Sequence, residues 1–246
     1  MRKSVFVCNN RLWQIQQGGW GWLVNFIFML THGDRTVANC LEVLGKVSDL
    51  GLKHIGFKDV GAERETLSEL VRRIKASGAI CYAEVVSTNG DTIRQSIRTA
   101  AELGADRVLG GREAAFALAS LKGGGDYYPF PGKPEGHPTR LGGGPEDIER
   151  DCDEARAAGC AGVDLLAYRA KDADPLALIA AARRGLGADG HLIVAGSIDS
   201  PDRIKAVSDA GADAFTIGTA IFEDRFALGS RGIRAQCEAV LRAQGL

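Results

Sequence analysis

Little in the sequence could staple, anchor or charge a fold from outside. Its six cysteines, at 8, 40, 81, 152, 160 and 237, form no CxxC pair and no regular framework. That spacing excludes a disulfide scaffold and fits reduced thiols in a cytosolic protein. The four histidines (His32, His54, His137, His191) are scattered, with no HExxH or Cys/His spacing, so neither a zinc site nor a cofactor is expected. A single octahedral ion on scattered carboxylates leaves no local spacing and stays open. An excess of one charge is also missing: 30 basic against 31 acidic residues give a net charge of −1. The chain therefore lacks the basic field that draws nucleic acid or an anionic membrane, and small molecules are the expected partners. Long apolar runs are absent at the start, where Val5–Val7 is broken by Asn9, Asn10 and Arg11. This is too short for a signal peptide or a membrane span.

What is present is ordinary globular material, 45% apolar and 25% charged, ample for one buried core. Residues 1–23 stand apart, because Gln16–Trp22 shows neither helical nor strand periodicity and the regular pattern begins at Val24. We expect an extension outside the main domain at 1–23. Two readings stay open: upstream sequence translated from a mis-assigned start with Val24 as the initiator, or a segment plugging the bottom of the domain.

From Val24 onward, helical stretches end in glycine and an apolar run follows at once. Gly51, Gly78, Gly104, Gly159 and Gly211 mark successive gaps of 27, 26, 55 and 52 residues. The unit is about 26 residues, the spacing of tandem βα pairs with glycine just past each helix. Strands are expected at 24–30, 53–59, 79–86, 106–110, 126–131, 161–167, 191–195 and 213–217. Amphipathic helices should start after Asp34, at Pro145-Glu146-Asp147 and at Ser200-Pro201-Asp202. Eight alternations with strands too apolar for one-sided exposure predict an α/β fold, a single-domain (β/α)8 TIM barrel over 24–246, with an open doubly wound sheet as the other architecture.

In such a barrel, function sits at the carboxyl ends of the strands. Two small-residue corners stand there, Ala195-Gly196-Ser197 and Ile217-Gly218-Thr219-Ala220. Glycine lets main-chain N–H groups approach an anion, so Gly196, Ser197, Gly218 and Thr219 are the candidate phosphate holders. The bland reading is two turn glycines. The run LIVAGSIDSPDRIKAVSDAGADAFTIGTAIF, Leu192 to Phe222, resembles the last two units of the ribulose-phosphate-binding barrels. These include the histidine and tryptophan biosynthesis isomerases, thiamine-phosphate synthase and the keto-deoxy-phosphogluconate aldolases. The resemblance implies a phosphate-ester ligand held at those corners, without fixing the reaction.

Chemistry is expected from three inward side chains. In His54-Ile55-Gly56-Phe57-Lys58, alternation puts Lys58 on the face of His54 and Gly56, toward the barrel mouth. A lysine there either loses its proton and forms a Schiff base or stays charged and stabilises an enolate. Glu84 and Asp164 interrupt apolar strands and would need a cation, a polar ligand or a network nearby. With Lys58 they form a set able to move protons beside a carbonyl, or else an ion-pair filling. The aldolases named above keep their Schiff-base lysine on strand 6, where this chain has Asp164. The isomerases use an acid on strand 5, where only Asp126 is offered. The long glycine-rich segment 132–144 reads as a mobile lid bringing Lys133, His137 or Arg140 to the ligand, and His32 and Arg112 are further candidates at the mouth. The expected function is a lyase of aldolase type on a phosphorylated keto sugar or keto acid. A sugar-phosphate isomerase or epimerase, and a non-catalytic phosphometabolite-binding regulator, are the alternatives; homo-oligomerisation stays open.

Overall fold

A computed structural model of the chain describes residues 5–8, 11–16, 19–22, 24–87 and 89–244. All eight expected strands form: β1 (Asn25–Met29), β2 (His54–Lys58), β3 (Ile80–Val85), β4 (Arg107–Gly110), β5 (Asp126–Tyr128), β6 (Gly162–Leu165), β7 (His191–Val194) and β8 (Ala214–Ile217). They pair in parallel in the order β5-β4-β3-β2-β1-β8-β7-β6. At the remaining seam, Ala161 N–H donates to Tyr127 O (3.2 Å) and Asp164 N–H to Pro129 O (3.0 Å). These two bonds bring β5 against β6, and the sheet becomes a nearly closed (β/α)8 barrel.

The strands read as continuous apolar runs because both of their faces are buried. Outward residues such as Phe28, Ile55, Phe57, Val163 and Phe215 pack against helix residues including Leu70, Ile97, Ile148 and Leu178. Inward residues Ile27, Met29, Tyr82, Leu109, Tyr128, Ile193 and Ala214 form a second cluster that fills the barrel. Each fully buried side chain of this size contributes about 1.5–3 kcal/mol. The helices are α1 (Cys40–Lys46), α2 (Arg64–Ala76), α3 (Gly90–Leu103), α4 (Ala114–Leu121), α5 (Pro145–Ala157), α6 (Pro175–Leu186), α7 (Pro201–Asp209), α8 (Thr219–Phe222) and α9 (Ile233–Ala243). No helix among the described residues is long and apolar enough to cross a membrane.

Local chemistry explains these boundaries. The five glycines that set the rhythm all take left-handed φ, from 67° to 96°, where a side chain would be strained. Ser200 Oγ accepts from Arg203 N–H (3.3 Å) at the start of α7, and the Asp147 carboxylate accepts from Gly144 N–H (3.3 Å) at the start of α5. One expected start is corrected. Asp34 does not cap a helix beginning at Arg35, since α1 begins at Cys40. Instead, Thr31–His32 and Arg35–Thr36 pair as a hairpin, with Gly33 (φ 56°) and Asp34 (φ 61°) as its turn.

Two further differences concern segments read as irregular. Within 1–23, Val5–Cys8, Arg11–Gln16 and Gly19–Trp22 form a three-stranded antiparallel sheet of their own. The Gly-Trp-Gly-Trp run is a period-two pattern after all, with glycine rather than a polar residue at the alternate positions. Segment 132–144 contains a ribbon, Lys133–Glu135 paired antiparallel with Arg140–Gly142.

Candidate active site

A cavity of about 640 Å³ opens at the carboxyl ends of the strands. Its floor carries Lys58 and Glu84, the last residue but one of β3. Both are buried, 5% and 4% exposed. Alternation places Lys58 inward as expected, since Ile55 and Phe57 lie in the strand–helix layer. Lys58 Nζ donates to Glu84 Oε1 (2.9 Å) and to Asp34 Oδ1 (2.9 Å). The strand end is fixed as well: Thr36 Oγ1 donates to Lys58 O (2.7 Å) and accepts from Lys58 N–H (2.8 Å).

Asp34 joins the largest number of these groups, and sequence reasoning missed it. Arg169 grips it with both arms, Nη1 to Oδ2 at 2.5 Å and Nη2 to Oδ1 at 2.7 Å. Thr139 N–H adds a third contact to Oδ2 (3.2 Å). Burial is the largest influence on the Asp34 carboxyl and acts to raise it, but the hydrogen bonds and charges of Arg169 and Lys58 hold it far below the usual range. For Lys58, burial would depress the ammonium, yet Glu84 and Asp34 outweigh it and the pKa rises above the ordinary value. Lys58 is therefore a charged lysine, not a desolvated neutral one.

Asp164 behaves differently. It is fully buried in the barrel interior, and neither carboxyl oxygen has a hydrogen-bond partner among the described residues. The ion-pair filling considered for it does not form, because Lys58 is taken by Asp34 and Glu84. An ionised carboxylate in such a place would cost several kcal/mol. Burial first, and then the charge of Glu84, push the Asp164 pKa well above the ordinary carboxylate value, which favours the protonated acid. The formal charges of the paired Asp34, Glu84, Lys58 and Arg169 sum to zero.

Both small-residue corners line the same cavity. Gly196 (φ 81°) and Ser197 (φ 56°) lie past β7, and Gly218 and Thr219 lead from β8 into α8. A methyl group on Gly196 would meet Arg169 Nε at 2.6 Å, and one on Gly218 would meet Thr31 Oγ1 at 2.5 Å. The glycines let those neighbours close in. Arg203, stacked on Tyr168, donates to Ser197 O and Asp199 and lines the same wall.

The candidates at the mouth divide. Arg140 lines the cavity. His32 is exposed and pairs with Glu223 Oε1 (3.0 Å), outside the lining. Arg112 donates to Gly132 O and to Asp151 Oδ2 (3.0 Å), facing a separate recess. Lys133 pairs with Asp147 (3.7 Å), and His137 is exposed on the ribbon turn, away from the lining. Among the described residues no group of His, Cys, Asp or Glu is arranged to hold a metal ion. Burial pushes the thiols up, to about 12 for Cys81, Cys152 and Cys237 and about 11 for Cys160, so they are unreactive near neutral pH.

No protein-family model and no curated protein matches the sequence. Solved structures do. The chain is similar to orotidine 5′-phosphate decarboxylase from Pyrococcus horikoshii OT3, with TM-score 0.63 and 18% identity over 89% of this chain and 99% of the other. It is similar to a 3-hexulose-6-phosphate synthase, with TM-score 0.59 and 20% identity over 89% and 99%. Phosphoribosyl anthranilate isomerase from Thermotoga maritima matches with TM-score 0.60 and 14% identity over 91% and 100%. At these identities the likeness is one of fold. The shared fold, a (β/α)8 barrel, extends over about nine-tenths of the chain.

Proposed function

We propose that the protein is an enzyme that forms an enolate on a phosphorylated carbonyl compound, acting as a lyase of aldolase type on a keto sugar or keto acid. The observation that carries this reading is the buried Lys58 ammonium, kept charged by two carboxylates on the floor of a cavity whose rim holds both glycine corners. No donated hydrogen bond among the described residues occupies the N–H groups of Gly196, Ser197, Gly218 or Thr219, so they are free to meet a phosphate oxyanion. Similar folds bearing the names of a phosphate-ester decarboxylase, a hexulose-phosphate synthase and a phosphoribosyl isomerase support a sugar-phosphate ligand.

A charged amine has no lone pair to attack a carbonyl, so Lys58 acts by charge and not through a Schiff base. With the phosphate at the corners, the substrate carbonyl oxygen faces Lys58 Nζ. The Glu84 carboxylate takes the proton of the substrate hydroxyl; that O–H pair becomes the new C=O as the carbon–carbon bond breaks. The released electron pair becomes the enolate, which the ammonium stabilises. Glu84 then returns its proton to the enolate carbon. Proton uptake by Glu84 takes the cluster from zero to +1, which balances the enolate and keeps the buried site neutral.

The isomerase reading is favoured by one observation: the barrel holds two carboxyl groups in unlike surroundings, Glu84 hydrogen-bonded to Lys58 on the cavity floor and Asp164 in the barrel interior with its pKa raised by burial, and acids set apart in this way suit moving a proton between neighbouring carbons. Incubation with ketose and keto-acid phosphates in D2O, followed by NMR, separates the cases. Carbon–carbon cleavage marks the lyase, and deuterium uptake without loss of carbon marks the isomerase. Either is expected to vanish in Lys58→Met, with no borohydride-trapped adduct in the native protein. Tight phosphate-ester binding with no exchange for any compound would reject an enzyme and leave the regulator.

A further inference from the structure

The ribbon Lys133–Glu135/Arg140–Gly142 is tied to the charged centre at one point. Its turn brings Pro138, Thr139 and Arg140 into the cavity wall that also carries Lys58. Thr139 is 4% exposed, although its neighbours from Glu135 to Pro138 are exposed. Its N–H donates to Asp34 Oδ2 (3.2 Å), and its carbonyl accepts from Arg169 Nη1 (3.3 Å). The ribbon's other strand is held by Lys171 N–H to Leu141 O (3.0 Å).

Asp34 has no acceptor capacity left over. Oδ1 takes Lys58 Nζ and Arg169 Nη2; Oδ2 takes Arg169 Nη1 and Thr139 N–H. A carboxylate offers about four acceptor positions, and all four are in use. Lifting the ribbon leaves a buried carboxylate one donor short and an Arg169 arm without its second acceptor, so the remaining donors, Lys58 among them, must rearrange to compensate. Gly132 (φ 84°) and Gly143 (φ 96°) flank the ribbon at conformations open to glycine. Arg112 and Asp151 fix the first of these, through Gly132 O and Gly132 N–H.

We propose that Asp34 and Arg169 are positioning residues that latch this ribbon over the cavity, so that closure of the ribbon and placement of the Lys58 ammonium are one event. The catalytic consequence rests on the enolate reading above, whereas the latch itself is present in the ligand-free chain and is tested there.

Two variants of the full chain test it, Thr139→Pro, which removes the N–H donor together with the threonine side chain and fixes φ, and Asp34→Asn, which removes the charge. Hydrogen exchange by mass spectrometry on ligand-free protein should show amides of 133–142 exchanging about tenfold faster in both, equivalent to about 1.4 kcal/mol. Strands β3 and β4 should be unchanged. Lys58, located by peptide mass, should be acetylated about tenfold faster by an activated acetate ester, since the ribbon no longer closes the cavity. Unchanged exchange at 133–142 together with unchanged Lys58 labelling would overturn the latch. So would faster exchange spread equally through the barrel strands, which would mark Asp34 as a general scaffold residue. A chain that shows the coupling but turns over no phosphorylated carbonyl compound would refute the proposed function and leave the latch standing.

Discussion

Asp164→Asn should stabilise the protein, by an amount that depends on pH. Asp164 is sealed from solvent, neither oxygen has a hydrogen-bond partner among the described residues, and its carboxyl is pushed upward by burial and by Glu84. In the unfolded chain it titrates near 3.9. The folded pKa lies above the unfolded one, so the folded state binds the extra proton. Its contribution is whole below about pH 4 and is lost as pH rises toward the folded value, at about 1.4 kcal/mol per pH unit. Asparagine keeps the shape and neutrality of the protonated acid and never pays this term. Urea unfolding of both proteins at pH 4, 5, 6 and 7 should therefore give near-equal stability at pH 4 and a growing advantage for the variant above it. Other titrating groups are common to both proteins and cancel in the difference. Were Asp164 ionised and paired, its loss would cost about 3–5 kcal/mol at pH 7, the opposite sign. A pH-independent difference, or a variant weaker at pH 7 than at pH 4, would refute the reasoning.

Lys58→Met leaves Asp34 and Glu84 buried without their shared cation. It should cost about 3–5 kcal/mol in urea unfolding and lower solvent-deuterium exchange by about a thousandfold. At the opposite end of the barrel, His54 contacts Tyr82 OH (3.0 Å), and burial, then Arg107 and His191, depress its pKa from 6.5 to about 4. A neutral half-buried histidine gives its full stability above pH 6.5 and loses it as pH falls toward 4, about 3 kcal/mol for such a shift. His54→Gln should remove that part of the acid slope, and an unaltered slope would contradict it. A methyl group on Gly162 would sit 1.8 Å from His191 O, while one on Gly78 meets nothing within 4 Å. Gly162→Ala should therefore cost about 3 kcal/mol or more through backbone displacement, against about 1 kcal/mol for Gly78→Ala from its left-handed φ alone; equal losses would contradict the packing at the β6–β7 junction.

The fold was legible because its signals are local. Apolar runs of strand length and a glycine after each helix repeat often enough to locate all eight strands to within a few residues. Lys58 was placed inward by alternation alone, since Ile55 and Phe57 had to face the helices. Asp34 was lost for the same local reason: an aspartate before an amphipathic stretch looks like a helix cap, and only the Gly33-Asp34 hairpin turn shows otherwise. Its partners Arg169 and Thr139 are 135 and 105 positions away, joined by barrel closure and by no spacing rule. Asp164 carried a signal, an acid inside an apolar strand, but its raised pKa comes first from burial in the closed barrel and then from Glu84 on another strand, which no local pattern shows. In the Gly-Trp-Gly-Trp run glycine hid an alternation that a polar residue would have shown.

The central claim is that a phosphate ester docks on main-chain amides at the two corners with its carbonyl over a charged Lys58. Diffraction from crystals soaked in a ketose phosphate tests it most directly. The account predicts phosphate oxygens within about 3 Å of the N–H groups of Gly196, Ser197, Gly218 and Thr219, and the carbonyl oxygen nearest Lys58 Nζ without a covalent bond. Phosphate bound elsewhere, or a carbon–nitrogen bond to Lys58, would contradict it.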